Sequence, residues 1–354
     1  MQKQILKIYL MPIRYFSLLT AIFVTVILCA GCRPDNYVRI EGYAQGGTWH
    51  VICNLPGGLS EQDAKALIDG ALEEMDRSLS GYNKGSLLSR INAGEDLPLD
   101  SLFIGCFLRS KEIWEISGGA FDPSAAPLFD LWGFGFEDRG AVSQTAIDSI
   151  LSFVGMESVS LEERPDGVHL CRRDPRTKLN FNAIAQGYTC DVVASRLRAA
   201  GCEDYLVEVG REIVCKGRSS RGGKWKIGID KPYDGNFSEG ESLQDILEVT
   251  DCGIVTSGNY RKYYVVDGQK FAHTIDPRTG YPVQHNLLSA TVISSDATSA
   301  DALATWAMVE GVGNAGRFLD TIPETGAYLI YSEGDSMKVY LKRLPTHFSS
   351  ESVQ

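Results

Sequence analysis

Residues 243–276, LQDILEVTDCGIVTSGNYRKYYVVDGQKFAHTID, constrain the fold more than any other stretch. β-branched and aromatic residues gather in short runs, and Asp267-Gly268 between two of them is turn chemistry for a tight hairpin. Strands joined this way must run antiparallel. The same reading extends along the chain. VRIEGYAQGGTWHVIC, VSLEE, GVHLCRRD, TKLNFN, DYLVEVGREIVCKG, KWKIGID and GAYLIYSEGDSMKVYLKRL read as strands, the last as a hairpin. Helical periodicity instead marks SEQDAKALIDGALEEMDRSLS, with Ser60 and Asp63 placed as a cap, and SLFIGCFLRSKEIWEISGG, closed by Gly118-Gly119. SQTAIDSILSFVG, AIAQGYTCDVVASRLRAAG, SADALATWAMVEG and GNAGRFLDTI read as helices too. Strands and helices are interleaved without a strict βαβ alternation, so the predicted class is α+β, with mixed or antiparallel sheets and packed helices. GGAFDPSAAPLFDLWGFGFEDRG is too rich in Gly, Pro and aromatics for regular structure, and a loop that long in a compact domain is usually functional.

A chain of 354 residues can form one large domain or two ordinary ones. With 44% hydrophobic and 22% charged residues it has globular rather than disordered composition. A net charge of -11 argues against a nucleic-acid partner, since phosphate neutralisation needs a concentrated basic surface. An anionic ligand therefore needs a local device such as a metal ion or converging backbone amides.

Lys3, Lys7 and Arg14 precede an apolar run ending in CAGC. The pattern resembles a bacterial lipoprotein signal, with Ala30-Gly31 before Cys32. It implies a leader over 1–31, lipid on Cys32, a mature domain over 32–354, and a chain anchored on the periplasmic side of the cell inner membrane. Cys29 departs from the pattern, which usually has Leu there, and the alternative is an uncleaved N-terminal anchor. Past Cys32 the seven cysteines lack any C-x-x-C spacing, so they predict neither a zinc ribbon nor a redox motif, and most read as buried thiols.

Several constellations could carry chemistry. In DATSADALATW, a helix starting near Ser299 puts Asp301 and Thr305 on one face. Carboxylate, hydroxyl and a nearby carbonyl are hard oxygen ligands of the kind Mg²⁺ accepts, although the spacing alone is more often a helix-start cap. Phe121 and Trp132 could wall a planar ring or staple their loop to the core, and composition favours the staple. Thr256, Ser257, Gly258 and Asn259, followed by Arg261, could form a nest of amides or a plain turn. His273 could take a proton from a hydroxyl or steady a leaving phosphate, oriented by Asp276 or by the phosphate itself.

Taken in order, GGAFDPSAAPLFDLWGFG, LNFNAIAQGYTCD, VEVGREI, WKIGIDKP, VTSGNYRKYY, HTIDPRTGYPV and SADALAT resemble the ApbE family of FAD:protein FMN transferases over nearly all of the mature chain. The resemblance implies a flavin transferase fold. It also implies Mg²⁺-dependent transfer of FMN from FAD to a threonine of an acceptor protein as a phosphoester, with release of AMP. Carried over by motif, Asp301 and Thr305 would bind Mg²⁺ with the carbonyls of Ala183 and Ala304. FAD would contact Gly46, Tyr82, Ala120, Phe121, Asp122, Asn180, Gln186 and Ile275, and His273 with Asp276 would serve the reacting phosphates. Acceptors would be exported or membrane electron-transfer subunits.

The sequence departs from the family at three places. DLGGIAKG reads NFNAIAQG, with Asn180 for an acidic residue and Gln186 for lysine, and NVGGEI reads EVGREI, with Arg211 for glycine. Arg211 and Arg261 are the candidates for the positive charge that Gln186 lacks. Two rival readings keep the same site: an FAD pyrophosphatase that passes FMN to water, and a non-catalytic flavin-binding lipoprotein. Retention of Asp301, Thr305 and His273 together weighs against the binder, which needs neither metal nor base.

Overall fold

The computed structural model describes residues 36–136, 140–233, 240–259, 263–266, 269–342 and 349–352. The leader over 1–31, Cys32, Arg261 and the Asp267-Gly268 turn lie outside the described residues. From Tyr37 onward the chain forms one unit built on an eight-stranded sheet.

The sheet contains β1 (Tyr37–Ala44), β2 (Gly47–Asn54), β5 (Tyr205–Val209), β6 (Glu212–Lys216), β9 (Cys252–Gly258), β14 (Leu287–Ser294), β15 (Gly326–Glu333) and β16 (Ser336–Lys342), in that spatial order. Every neighbouring pair is antiparallel. Spatial order thus follows chain order, and everything else is inserted between successive strands. β3 (Val159–Arg164) and β4 (Gly167–Arg172) form a hairpin between β2 and β5. β7 (Trp225–Asp230) and β8 (Leu243–Val249) sit between β6 and β9 and form a small sheet with β17 (Ser349–Ser352). Between β9 and β14 come β10 (Tyr263–Val266), β11 (Gln269–Ala272), β12 (Ile275–Asp276) and β13 (Tyr281–Pro282), paired as two ribbons. Val266 and Gln269 are register partners, so the residues flanking Asp267-Gly268 pair as a hairpin there requires.

Among the described residues, seven α-helices accompany these strands: α1 (Glu61–Leu79), α2 (Leu87–Asn92), α3 (Ser101–Ile116), α4 (Ala126–Trp132), α5 (Gln144–Leu151), α6 (Ala185–Ala199) and α7 (Ala297–Leu319). The Ser60/Asp63 capping box forms as predicted, with Ser60 Oγ accepting from the Asp63 N–H at 3.1 Å. Such a cap contributes about 1 kcal/mol. Ala64, Ile68, Ala71, Leu72, Met75 and Leu79 then form the buried stripe of α1.

Alternation along the strands produces three layers. Val207, Val214, Val255, Val292 and Leu329 face the helices, whereas their neighbours Leu206, Ile213, Ile254, Ile293 and Tyr328 face Trp225, Ile227, Leu247 and Val249 of the small sheet. At about 25 cal/mol per Å² of apolar area, both interfaces are driven by burial of these aliphatic side chains. The seven cysteines from Cys53 to Cys252 are free thiols, and all but Cys171 are buried.

Three local expectations are corrected. The aromatic loop contains a regular segment, α4, begun by Pro127 in its first turn and closed by Gly133 in the left-handed conformation. TKLNFN is no strand: Lys178 makes only an isolated bridge to Ala125. DYLVEVGREIVCKG is two strands, β5 and β6, folded back at Gly210-Arg211.

Candidate active site

A cleft of about 850 Å³ opens where the helix N-termini, the large sheet and the small sheet meet. Its size suits a dinucleotide-scale ligand. The floor is set by how α6 approaches α7. A Cβ on Gly187 would stand 2.3 Å from the Ala297 carbonyl oxygen and 2.8 Å from Asp301 Cβ, so only glycine permits this contact. One turn along α6, Asp191 accepts from the N–H groups of Ala297 (3.1 Å) and Thr298 (2.8 Å), and Asp296 caps the same helix by accepting from the Ser299 N–H at 2.7 Å. Two carboxylates thus hold the positive end of α7 in place. Burial pushes the Asp191 carboxyl up to about 6 despite these bonds.

The helix begins at Ala297, two residues earlier than the sequence reading placed it, and Asp301 and Thr305 still reach the cleft together. Asp301 is 4% exposed and accepts from the Gly187 N–H at 3.0 Å. Burial raises its pKa to about 7, the Gly187 bond opposing and Asp191 adding to the shift. Thr305 Oγ1 lies 3.4 Å from Ser257 Oγ at the end of β9, which brings the VTSGN segment into the site. Ala183 lines the cleft beside them, whereas Ala304 is fully buried and does not.

One carboxylate escaped the sequence reading. Glu212, at the start of β6, is buried in the cleft wall, and its Oε2 has no hydrogen-bond partner. Burial first, then the charge of Asp301, lifts its pKa well above the usual carboxylate range. The only available signal was a glutamate adjoining the apolar run IVC within VGREIVC. Two buried carboxylates, one of them with an orphaned oxygen, form a pocket that a hard cation suits. Among the described residues no cluster of three His, Cys, Asp or Glu side chains forms, so a metal here would rest on mixed carboxylate, hydroxyl and carbonyl oxygens.

The opposite wall comes from the Phe-Asp-Pro loop. Ala120, Phe121 and Asp122 line the cleft. Asp122 accepts from the Ser124 N–H (2.8 Å) and Oγ–H (2.6 Å), and burial nevertheless raises it to about 6. Trp132 does not line the cleft; its indole N–H donates to the Gly280 carbonyl at 2.8 Å, so it is a staple while Phe121 is a wall. Tyr82, 70% exposed, stands at the mouth with its ring edge-on to Phe136 at 5.0 Å. Asn180 and Gln186 also line the cleft, Asn180 Oδ1 accepting from the Asn182 N–H at 2.8 Å.

His273 and Ile275 complete the lining, with the imidazole edge-on to Phe134 at 6.3 Å between ring centres. Thr274 between them donates to Asn259 Oδ1 at 2.6 Å, tying this segment to the end of β9. Asp276 lies outside the lining: its carboxylate accepts two bonds from the Arg278 guanidinium, both at 2.9 Å. Gly46 lies outside it as well, in the β1–β2 turn, and its neighbour Gln45 is the residue that reaches the cleft.

The model of the ApbE family matches residues 43–329. The FAD:protein FMN transferase of Vibrio cholerae is 34% identical over 294 residues, covering 81% of this chain and 86% of the relative. That of Escherichia coli K12 is 32% identical over 311 residues, covering 85% and 86%. Among solved structures, the flavin transferase ApbE from Vibrio cholerae superposes with a TM-score of 0.76 at 31% identity, covering 87% of this chain and 97% of that one. The apo flavinyl transferase ApbE of Pseudomonas stutzeri gives 0.77 at 29% identity, covering 87% and 95%.

Proposed function

The chain belongs to the ApbE family, and on that premise we propose that it transfers FMN from FAD to a threonine hydroxyl of an acceptor protein. The observation that carries the reading is convergence. Tyr82, Phe121, Asp122, His273, Asp301 and Thr305 come from four separate segments and line one cleft. In the reaction the threonine oxygen bonds to the phosphorus of the FMN half, the bridging P–O bond of the diphosphate breaks, and AMP departs.

The chain's own groups divide this work. His273 receives the hydroxyl proton, since a neutral imidazole is the suitable base near neutral pH. Phe121 and Tyr82 offer flat apolar surface to the flavin or adenine ring. Asp301, Thr305 and the Ala183 carbonyl are the oxygens that would hold Mg²⁺, which when bound neutralises charge on the phosphates as the diphosphate opens. The low-dielectric setting of Asp301 strengthens each charge contact made there.

Residues 1–31 act as a lipoprotein leader ahead of a domain over 32–354, and Cys32 carries the lipid that holds the chain to the periplasmic side of the inner membrane. Its acceptors are exported or membrane electron-transfer subunits bearing the target threonine.

The test is to incubate the purified chain with FAD, Mg²⁺ and a flavin-acceptor domain, and weigh the acceptor. The expected result is a mass gain of one FMN phosphoester, lost in His273→Ala. Free FMN and AMP beside an unmodified acceptor would replace this reading with a pyrophosphatase, and intact FAD would leave a flavin binder.

A further inference from the structure

The turn between β5 and β6 consists of Gly210 and Arg211, with φ of 64° and 93°. A two-residue hairpin turn of this hand needs positive φ at both positions, which glycine adopts freely and a residue with a Cβ resists. Strain of this kind persists where the side chain is needed at that spot. Arg211 lines the cleft, directly before the orphaned Glu212. The same turn is pressed against the α6 terminus, since a Cβ on Gly210 would stand 2.1 Å from Gln186 Nε2.

The charges around it explain the need. The described lining carries the carboxylates of Asp76, Asp122, Glu208, Glu212, Asp230 and Asp301, while its permanent cations are Arg211 and Lys226. A diphosphate entering so acidic a cleft meets repulsion unless a cation faces it, and a guanidinium offers a planar fork of donors suited to phosphate oxygens.

We propose that Arg211 is the specificity-determining residue that grips the diphosphate of the dinucleotide, its backbone strain being tolerated to put a guanidinium there. This inference rests on the flavin-transfer reading above, and it predicts an unusual combination. Arg211→Gly relieves the turn and removes the fork, so the variant should melt roughly 2 °C higher while binding ADP and FAD about 10- to 100-fold more weakly. Arg211→Lys, which restores charge without the fork, should recover part of the affinity. Misfolding cannot produce a gain in stability with a loss of ADP binding.

The experiment is a calorimetric titration of the full chain and both variants with FAD and with ADP in Mg²⁺, paired with thermal melts. An Arg211→Gly variant that binds both ligands within about twofold of the wild type overturns the inference and leaves the flavin-transfer reading standing. A wild-type chain that binds no FAD removes both.

Discussion

Replacing Asp301 by asparagine should stabilise the metal-free protein while removing its response to Mg²⁺. A carboxyl whose folded pKa stands above its unfolded value holds its proton more tightly when folded, so stability is lost as pH climbs through that interval. For Asp301 the interval runs from 3.8 to about 7. About three pKa units at 1.36 kcal/mol each amount to roughly 4 kcal/mol at pH 8, of which roughly 2–3 kcal/mol accrues between pH 5 and pH 8. Asparagine removes the charge and keeps an oxygen for the Gly187 N–H, but it introduces amide donors that cost about 1–2 kcal/mol if unmatched. The net gain is about 2 kcal/mol at pH 8. The assay is urea unfolding in a chelator at pH 5 and pH 8, repeated in Mg²⁺. Wild type should be less stable than the variant at pH 8 in chelator, with the gap narrowing at pH 5, and Mg²⁺ should raise only the wild type. A variant less stable than wild type at pH 8 without metal, or an equal Mg²⁺ response in both proteins, would refute the reasoning.

Two further substitutions probe the frame and the mouth of the cleft. Gly187→Ala places a methyl 2.3 Å from a backbone oxygen that cannot step aside; urea unfolding should show a loss of about 3 kcal/mol, and flavin transfer should fall with the displaced α7. Tyr82→Ala removes a ring that is 70% exposed. Its melting temperature should hold, while FAD titration shows affinity weakened by about 0.5–1.5 kcal/mol, roughly 2- to 12-fold.

Where a local signal and the tertiary environment agree, the sequence was legible. Ser60 and Asp63 cap α1 because both partners lie within one turn, and Asp301 and Thr305 share a face because helical spacing alone puts them there. Long-range competition explains the failures. Asp276 sits three residues from His273 in the chain, yet Arg278 takes its carboxylate. TKLNFN has the residues of a strand but no neighbouring edge beyond one bridge, and strand character is decided by partners. The β5–β6 turn was missed because arginine at positive φ is not turn chemistry, so DYLVEVGREIVCKG read as continuous. Glu212 escaped for a related reason: burial next to Asp301 depends on β6 and α7 meeting in space, which no window of residues around position 212 records.

The chain-ordered sheet has a consequence for how such a protein can change. Because each strand of the large sheet adds beside the previous one, the segments between strands are detachable excursions whose ends return to adjacent positions. The β7–β8 excursion supplies one side of the cleft, the stretch between β9 and β14 supplies His273, and α7 supplies Asp301. An excursion can therefore be lengthened, trimmed or exchanged with a relative's without rethreading the scaffold. Grafting β7–β8 between two members of the family is accordingly a direct way to ask which excursion chooses the client.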